Sequence, residues 1–332
     1  MPDLLHLRRA LFVLIPLLVI LAGLWVFGER EPARLEPSFN AAAIGSDPAA
    51  YLARTEADIP NLRPNAQKEI VWAYPLSHAK TPLALVYVHG FSAAKGEARP
   101  LADEIAKRLG ANLFYTRLAG HGRDGTAMGE ASVGDWIDDM AEAMAIGRRL
   151  GEKVVVIGSS TGATLATLAA SRPDLSEDMA GLVLLSPNYR LQDWRSFALR
   201  LPFARKLLPL IEDETYRYTP MNEAFGANWT VSYPTLALLP MARLVEIVGG
   251  LDVSAINVPA LFVTAPNDSL VDPQRTAEVA AHWGAPHQEI TVSDSADPQH
   301  HILAGEIVSP NTTERLAGQI ADWITALPGS KP

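Results

Sequence analysis

The longest apolar stretch in the chain runs from Ala10 to Phe27 without a charged residue. As a helix rising ~1.5 Å per residue it extends ~27 Å, close to the thickness of a hydrocarbon core. His6, Arg8 and Arg9 precede it and Glu29-Arg30-Glu31 follows directly, with no A-x-A-like cleavage site. That arrangement predicts an uncleaved signal anchor over residues 1–28, a single-pass membrane helix with its N-terminus inside and an exported catalytic domain. Pro16 is tolerated in such a helix. Residues 29–68 are rich in Pro, Ala and charge, and Asp47-Pro48 ahead of Tyr51 and Leu52 has the pattern of a helix start. The expectation there is a stalk with one short helix.

From Glu69 the pattern changes. Short aliphatic runs at Ile70 to Tyr74, Leu83 to Val88, Asn112 to Tyr115, Val154 to Ile157, Leu182 to Leu185 and Leu261 to Val263 alternate with amphipathic stretches. Short apolar strands separated by helices predict an α/β fold with a doubly wound, mostly parallel sheet. Trp136 to Leu150 sets Ile137, Met140, Met144 and Ile146 among acids and arginines, which predicts a surface helix. Ser160 to Ala170 is small and apolar and predicts a helix buried against the sheet. Between Pro187 and Pro259 the alternation stops. That stretch is rich in Tyr, Trp, Leu and Pro, too apolar for a disordered linker. It predicts a helical cap, or lid, over 187–259, inserted into a core formed by 69–186 and 260–328.

Composition narrows the function. A net charge of -9 and a pI near 5.4 leave no broad basic face for phosphates, so nucleic acid is excluded as an expected partner. With no cysteine, a disulfide framework, a thiolate nucleophile and a Cys-ligated zinc are all ruled out. Neither length nor pattern indicates an oligomeric state.

The chemistry-bearing signal is Val154 to Ile157 running into Gly158-Ser159-Ser160-Thr161-Gly162 and then the small-residue helix. Strand, Gly-x-Ser-x-Gly and helix in that order are what a nucleophile elbow requires, with Ser160 in the sharp turn and Ser159 buried or misdirected. The Thr161 N–H at the helix N-terminus is a candidate oxyanion donor. Upstream, Leu83 to Val88 ends in His89-Gly90-Phe91-Ser92, where Phe91 would offer a second N–H and His89 is a structural histidine. His121, in Gly120-His121-Gly122, is likewise expected to be structural.

A serine nucleophile needs a base, and the base an orienting carboxylate. Asp268 follows the strand Pro259 to Thr264; Asp272, its nearest rival, stands before Pro273 as a helix cap would. His301, with His300 as the alternative, follows the strand Gln288 to Val292, while His282 and His287 fall at helix and strand edges. Asp294 and Asp297 beside the paired histidines raise a metal site as a weaker reading, since adjacent residues rarely face one ion and no third ligand is evident.

Taken together, His89-Gly90-Phe91, Gly120-His121-Gly122, Gly158-Ser159-Ser160-Thr161-Gly162, Asn267-Asp268-Ser269-Leu270-Val271 and His301-Ile302-Leu303 resemble the α/β-hydrolase superfamily over Glu69 to Leu327, in its carboxylesterase and monoacylglycerol-lipase branch. The resemblance implies a Ser160-His301-Asp268 triad, an oxyanion hole of Phe91 and Thr161, a cap after the strand that follows the elbow, and no metal or organic cofactor. It implies hydrolysis of carboxylic esters, small or lipid, through an acyl-enzyme. Amide, peptide and thioester cleavage and acyl transfer use the same constellation, and an acidic cap pocket at Glu212, Asp213 and Glu214 would favour a peptidase. A non-catalytic, membrane-tethered binding protein is the reading from a different class.

Overall fold

The computed structural model of the protein describes residues 2–328, with side chains described from residue 12 onward except at 13 and 21. Helix α1 (Pro2–Phe27) leads through an extended segment and a short 3-10 helix at Ala41–Ile44 to α2 (Pro48–Glu56). Then come β1 (Glu69–Val71), β2 (Thr81–Val88), α3 (Leu101–Leu109), β3 (Asn112–Tyr115), α4 (Gly125–Met128), α5 (Val133–Leu150), β4 (Gly151–Ser159), α6 (Thr161–Ala170), α7 (Pro173–Ser176) and β5 (Met179–Leu185). The chain leaves the sheet through α8 (Ala204–Ile211), β6 (Thr215–Arg217), α9 (Glu223–Asn228), β7 (Ser232–Pro234) and α10 (Leu238–Gly249). It returns as β8 (Ala260–Thr264), α11 (Pro273–Ala281), β9 (His287–Thr291) and α12 (Pro310–Thr325).

The main sheet has the order β1-β3-β2-β4-β5-β8-β9, parallel throughout except for β1 against β3. After β3 the chain crosses back over β2 to lay down β4 on its other side. The order therefore reverses at the β2/β4 boundary, where an open α/β sheet has room for a ligand beyond its strand ends. Both faces are covered. Val154 and Val156 point into a core shared with α5, α6, α10 and α11, while Val155 and Ile157 point into one shared with α3 and α12. The period of two in β4 thus feeds both cores, which is why the strand reads as an unbroken aliphatic run.

Local chemistry sets the helix ends. Ser132 and Asp135 form a reciprocal capping box at the start of α5, and Asp272 accepts from the Gln274 and Arg275 N–H groups ahead of Pro273. Every residue of α6 is buried, as its small side chains allow. The expected surface helix is α5, whose inner face of Trp136, Ile137, Met140 and Met144 is fully covered.

Two expectations need correction. The stretch read as a stalk packs onto the sheet domain: Ile44, Tyr51 and Leu52 join the core beside α5, and the Tyr51 hydroxyl donates to Glu142 at 2.6 Å. Ile44 and the adjacent Tyr51 and Leu52, with Leu35 and Phe39 packed beside them, outweigh the Pro-rich, charged composition around them. The 187–259 insertion is not purely helical either, since β6 and β7 pair antiparallel and stack Tyr216 on Tyr233 at 5.5 Å. Three-residue strands leave too little periodicity to be read in advance.

Along α1 the described large side chains are exposed, from Phe12 to Phe27. Among the described residues no helix is long and apolar enough to cross a membrane. The run expected as an anchor, Ala10 to Phe27, lies partly outside the described side chains, at positions 10, 11, 13 and 21. The far end of α1 is fastened to the insertion. The Phe203 N–H donates to the Glu29 carbonyl at 2.6 Å, Lys206 pairs with Glu29 at 2.6 Å, and Arg205 pairs with Glu31.

Candidate active site

Four strand ends of the sheet converge on one place. Ser160 follows β4 immediately and takes φ 50, ψ -114, a conformation non-glycine residues rarely adopt. The turn closes because its neighbours lack side chains: a Cβ on Gly162 would sit 2.2 Å from the Val88 carbonyl oxygen, and one on Gly158 2.6 Å from Ala163 Cα. The strain turns the Ser160 hydroxyl out of the sheet and toward His301.

Ser160 Oγ lies 2.9 Å from His301 Nε2, and His301 Nδ1 lies 2.8 Å from Asp268 Oδ2. With Nδ1–H donated to Asp268, Nε2 is left as an acceptor for the serine proton. Asp268 is 3% exposed, and its other oxygen accepts the Leu270 and Val271 N–H groups at 2.8 and 2.9 Å. That fixes the carboxylate from behind. Burial works against a charged His301 ring, but the hydrogen bond and charge of Asp268, aided by Asp297 and Glu97, hold its pKa above the ordinary 6.5.

The peptides expected for an oxyanion hole adjoin the nucleophile. Thr161 opens α6, where its N–H and the helix dipole favour negative charge. Gly90, just before Phe91, lies so close that a Cβ there would be 3.3 Å from Ser160 Cβ. Phe91 packs edge-on against His121 at 5.6 Å and Tyr233 at 5.5 Å. Ser92 ties this loop to the insertion through the Tyr218 hydroxyl at 2.9 Å and the Thr230 N–H at 2.7 Å.

His89, His121 and His282 have other partners. His89 Nε2 accepts the Leu118 N–H at 3.0 Å and its Nδ1–H donates to the Gly90 carbonyl at 2.9 Å, while burial and nearby His121 push its pKa down to about 3. His121, also buried, donates to the Ala119 carbonyl and is pushed down to about 4. His300 stands at φ 55 outside the Ser160-His301-Asp268 chain, and His282 bonds the Glu278 carbonyl on the surface. Ser159 is half-buried rather than buried, with its hydroxyl toward Tyr87 and Glu97. Glu212, Asp213 and Glu214 are exposed and form no enclosed acidic pocket.

Two carboxyl groups of the site escaped sequence reasoning. Asp297, weighed there only as a metal ligand, is 1% exposed and accepts the N–H groups of Gln299, His301 and Ile302. Asp294 instead pairs with Arg315 on the surface. Among the described residues no cluster of three or more potential metal ligands occurs. Glu97 lies buried beneath Gly90. Asp297-Pro298 before the histidines was a visible turn signal for the first; nothing in the sequence marked the second.

The Hydrolase_4 family pattern, described as serine aminopeptidase, S33, matches residues 79–306, more than two thirds of the chain. The chain belongs to this family. Its α/β-hydrolase fold is shared with solved structures: metagenome-derived lipolytic enzymes (LipS and LipT) at TM-score 0.62, with 19% identity over 79% of this chain and 98% of that one. A monoacylglycerol lipase from Paleococcus ferrophilus aligns at TM-score 0.56, 16% identity, and 77% and 96% coverage. A soluble variant of the Saccharomyces cerevisiae monoglyceride lipase aligns at 0.59, 11% identity, and 77% and 89% coverage. In sequence, the thermostable monoacylglycerol lipase of Bacillus sp. (strain H-257) is 32% identical over 104 residues, 31% of this chain and 41% of that protein. The chain thus spans about two fifths of the length of that curated relative.

Proposed function

We propose that this family member is a serine hydrolase that cleaves carboxylic esters bearing an acyl chain, through an acyl-enzyme on Ser160. The observation that carries the reading is the unbroken chain Ser160 Oγ, His301, Asp268 at 2.9 and 2.8 Å. His301 takes the Ser160 proton as Oγ attacks the ester carbonyl. Asp268 steadies the imidazolium, the Phe91 and Thr161 N–H groups receive the oxyanion, and His301 returns the proton to the leaving alcohol. Water then repeats the sequence on the acyl-enzyme and releases the acid.

The neighbourhood of Phe91 is apolar, since Met128 clusters there with Tyr218, Tyr233, Ala237 and Leu238 of the insertion, and this character supports an ester with an acyl chain over a charged substrate. The lipases among its relatives act on such esters, which supports the same class here. The family description favours a second reading, cleavage of an N-terminal aminoacyl bond. Against it, Glu212, Asp213 and Glu214 face solvent and offer no buried partner for an amine. Hydrolysis rates of the full chain on p-nitrophenyl esters of two to sixteen carbons and on aminoacyl anilides decide between them. Turnover of esters alone is expected; turnover of anilides alone would reverse the order.

We further propose that α1 anchors the enzyme in a membrane as an exported, single-pass protein, on the strength of the charge-free run Ala10 to Phe27 and the exposed apolar side chains described between Phe12 and Phe27. Glu29 and Glu31, bonded to Lys206 and Arg205, would then hold the cap near the lipid surface. Flotation of the full chain with lipid vesicles is expected, and recovery in the soluble fraction after removal of detergent would contradict the anchor.

A further inference from the structure

The loop after β2 carries a carboxyl group to which the mechanism above gives no part. Glu97 is 4% exposed, and its Oε1 accepts the Gly90 N–H at 2.7 Å and the Tyr87 hydroxyl at 2.8 Å. Gly90 separates it from the nucleophile: a Cβ on Gly90 would stand 3.1 Å from Glu97 Oε2 and 3.3 Å from Ser160 Cβ. The carboxyl therefore sits one peptide's thickness behind the reacting serine. Among the described residues no lysine or arginine pairs with it. The groups facing it are Tyr87 from β2, Ser159 from the end of β4 and His301 from the loop after β9. Behind Tyr87 stand Tyr115, with rings 5.4 Å apart, and the Asp103 and Arg99 that bond Tyr115 or lie over it.

A carboxylate without a cation in so closed a place is costly to keep charged. Burial pushes the Glu97 pKa up to about 7, although Gly90, Tyr87 and the His301 charge each pull it down. The influence is mutual, since Glu97 is among the groups that raise the pKa of His301.

We propose that Glu97 is a positioning residue of the active site: it pins the Gly90 peptide behind Ser160 and, when ionised, favours the imidazolium form of His301. Two consequences follow from elementary electrostatics. With its N–H taken by Glu97, Gly90 is unavailable as an oxyanion donor, leaving that part to the next peptide, Phe91. As His301 gains the serine proton, the ionised form of Glu97 becomes more favourable, so the two groups titrate as a coupled pair. The proposal rests on the hydrolase reading, with His301 as base.

The test uses the full chain carrying Glu97→Gln or Glu97→Ala, with kcat and KM measured against pH on a p-nitrophenyl ester. Glutamine keeps an acceptor oxygen for Gly90 but removes the charge. Its acidic limb of kcat/KM is expected to move to lower pH by roughly half a unit or more, because a neutral neighbour no longer favours the protonated ring. Alanine removes the acceptor too. Its kcat at the optimum is expected to fall about tenfold or more with KM little changed, and glutamine to recover most of that loss. A carboxyl of merely structural use would lower kcat without moving the limb. Superimposable limbs for wild type and Glu97→Gln overturn the proposal even if Glu97→Ala fails to fold. A wild-type chain that hydrolyses no ester and takes up no fluorophosphonate defeats the hydrolase reading itself, and this proposal with it.

Discussion

Asp297 holds His301 by the main chain and not by the ring: its Oδ2 accepts the His301 N–H at 2.9 Å and the Ile302 N–H at 2.7 Å, while Oδ1 accepts from Gln299. The imidazole is thereby left free to bridge Asp268 and Ser160. Replacing Asp297 by Ala leaves three N–H groups without their charged acceptor. The expected result is a stability loss of about 2 kcal/mol or more and a fall in kcat on the order of 10²-fold as the base drifts. Asn, which keeps one carbonyl oxygen, should lie between. Thermal melting and ester turnover measured side by side check both; a folded Asp297→Ala enzyme with wild-type kcat would show that the loop holds its shape without this carboxylate.

Asp268→Asn tests the other side of the ring. An amide can donate to Nδ1 and so stabilise the wrong tautomer, and kcat is expected to fall by about 10⁴-fold, the loss known for this change in serine proteases. In the wild type, kcat/KM should decline as pH falls through a pKa above 6.5, since only the neutral ring accepts the serine proton. Residual activity of the variant should decline at lower pH, because the hydrogen bond and charge that raise the His301 pKa are gone. Full pH profiles of both enzymes supply the comparison.

Acid should weaken the fold through the buried histidines. His89 and His121 bind protons more weakly in the folded chain, at about 3 and about 4, than at their ordinary 6.5. Their contribution to stability is present above 6.5 and lost as pH falls toward the folded values, on the order of several kcal/mol for the pair. Melting temperature recorded from pH 7 to pH 4 is expected to drop continuously; a flat profile would contradict buried neutral rings.

Gly162→Ala places a methyl group 2.2 Å from the Val88 carbonyl oxygen and 2.5 Å from that of His89. Both acceptors belong to main chain at the β2 end, which cannot yield without moving the oxyanion loop. A loss of at least about 3 kcal/mol is expected, readable as a collapse of soluble yield or of the melting temperature. Gly226→Ala, where the nearest contact is 3.6 Å, provides a benign control.

What the sequence disclosed and what it hid divide along physical lines. β2, β3, β4, β5 and β8 were legible because parallel strands buried on both faces are short, largely apolar runs. Ser160 and Asp268 were legible because each follows such a run, and His301 because it stands in the loop between the last strand and the C-terminal helix. Pairing of β6 with β7 was hidden by strands too short to show a period. Packing of residues 29–68 was hidden because Ile44, Tyr51 and Leu52 are few and set among prolines and charges. Glu97 was hidden for a different reason, and of Asp297 only the Asp-Pro turn was visible: both accept backbone N–H groups, a use that the residue type alone does not reveal.

Ester hydrolysis by this protein rests on Ser160 as the nucleophile. The direct measurement is exposure of the full chain to a fluorophosphonate, followed by mass analysis of the modified peptide, with Ser160→Ala alongside. Stoichiometric modification located on Ser160, absent in Ser160→Ala and accompanied by loss of ester turnover, is the predicted result. Modification on Ser159, or none at all in folded protein, would contradict the account.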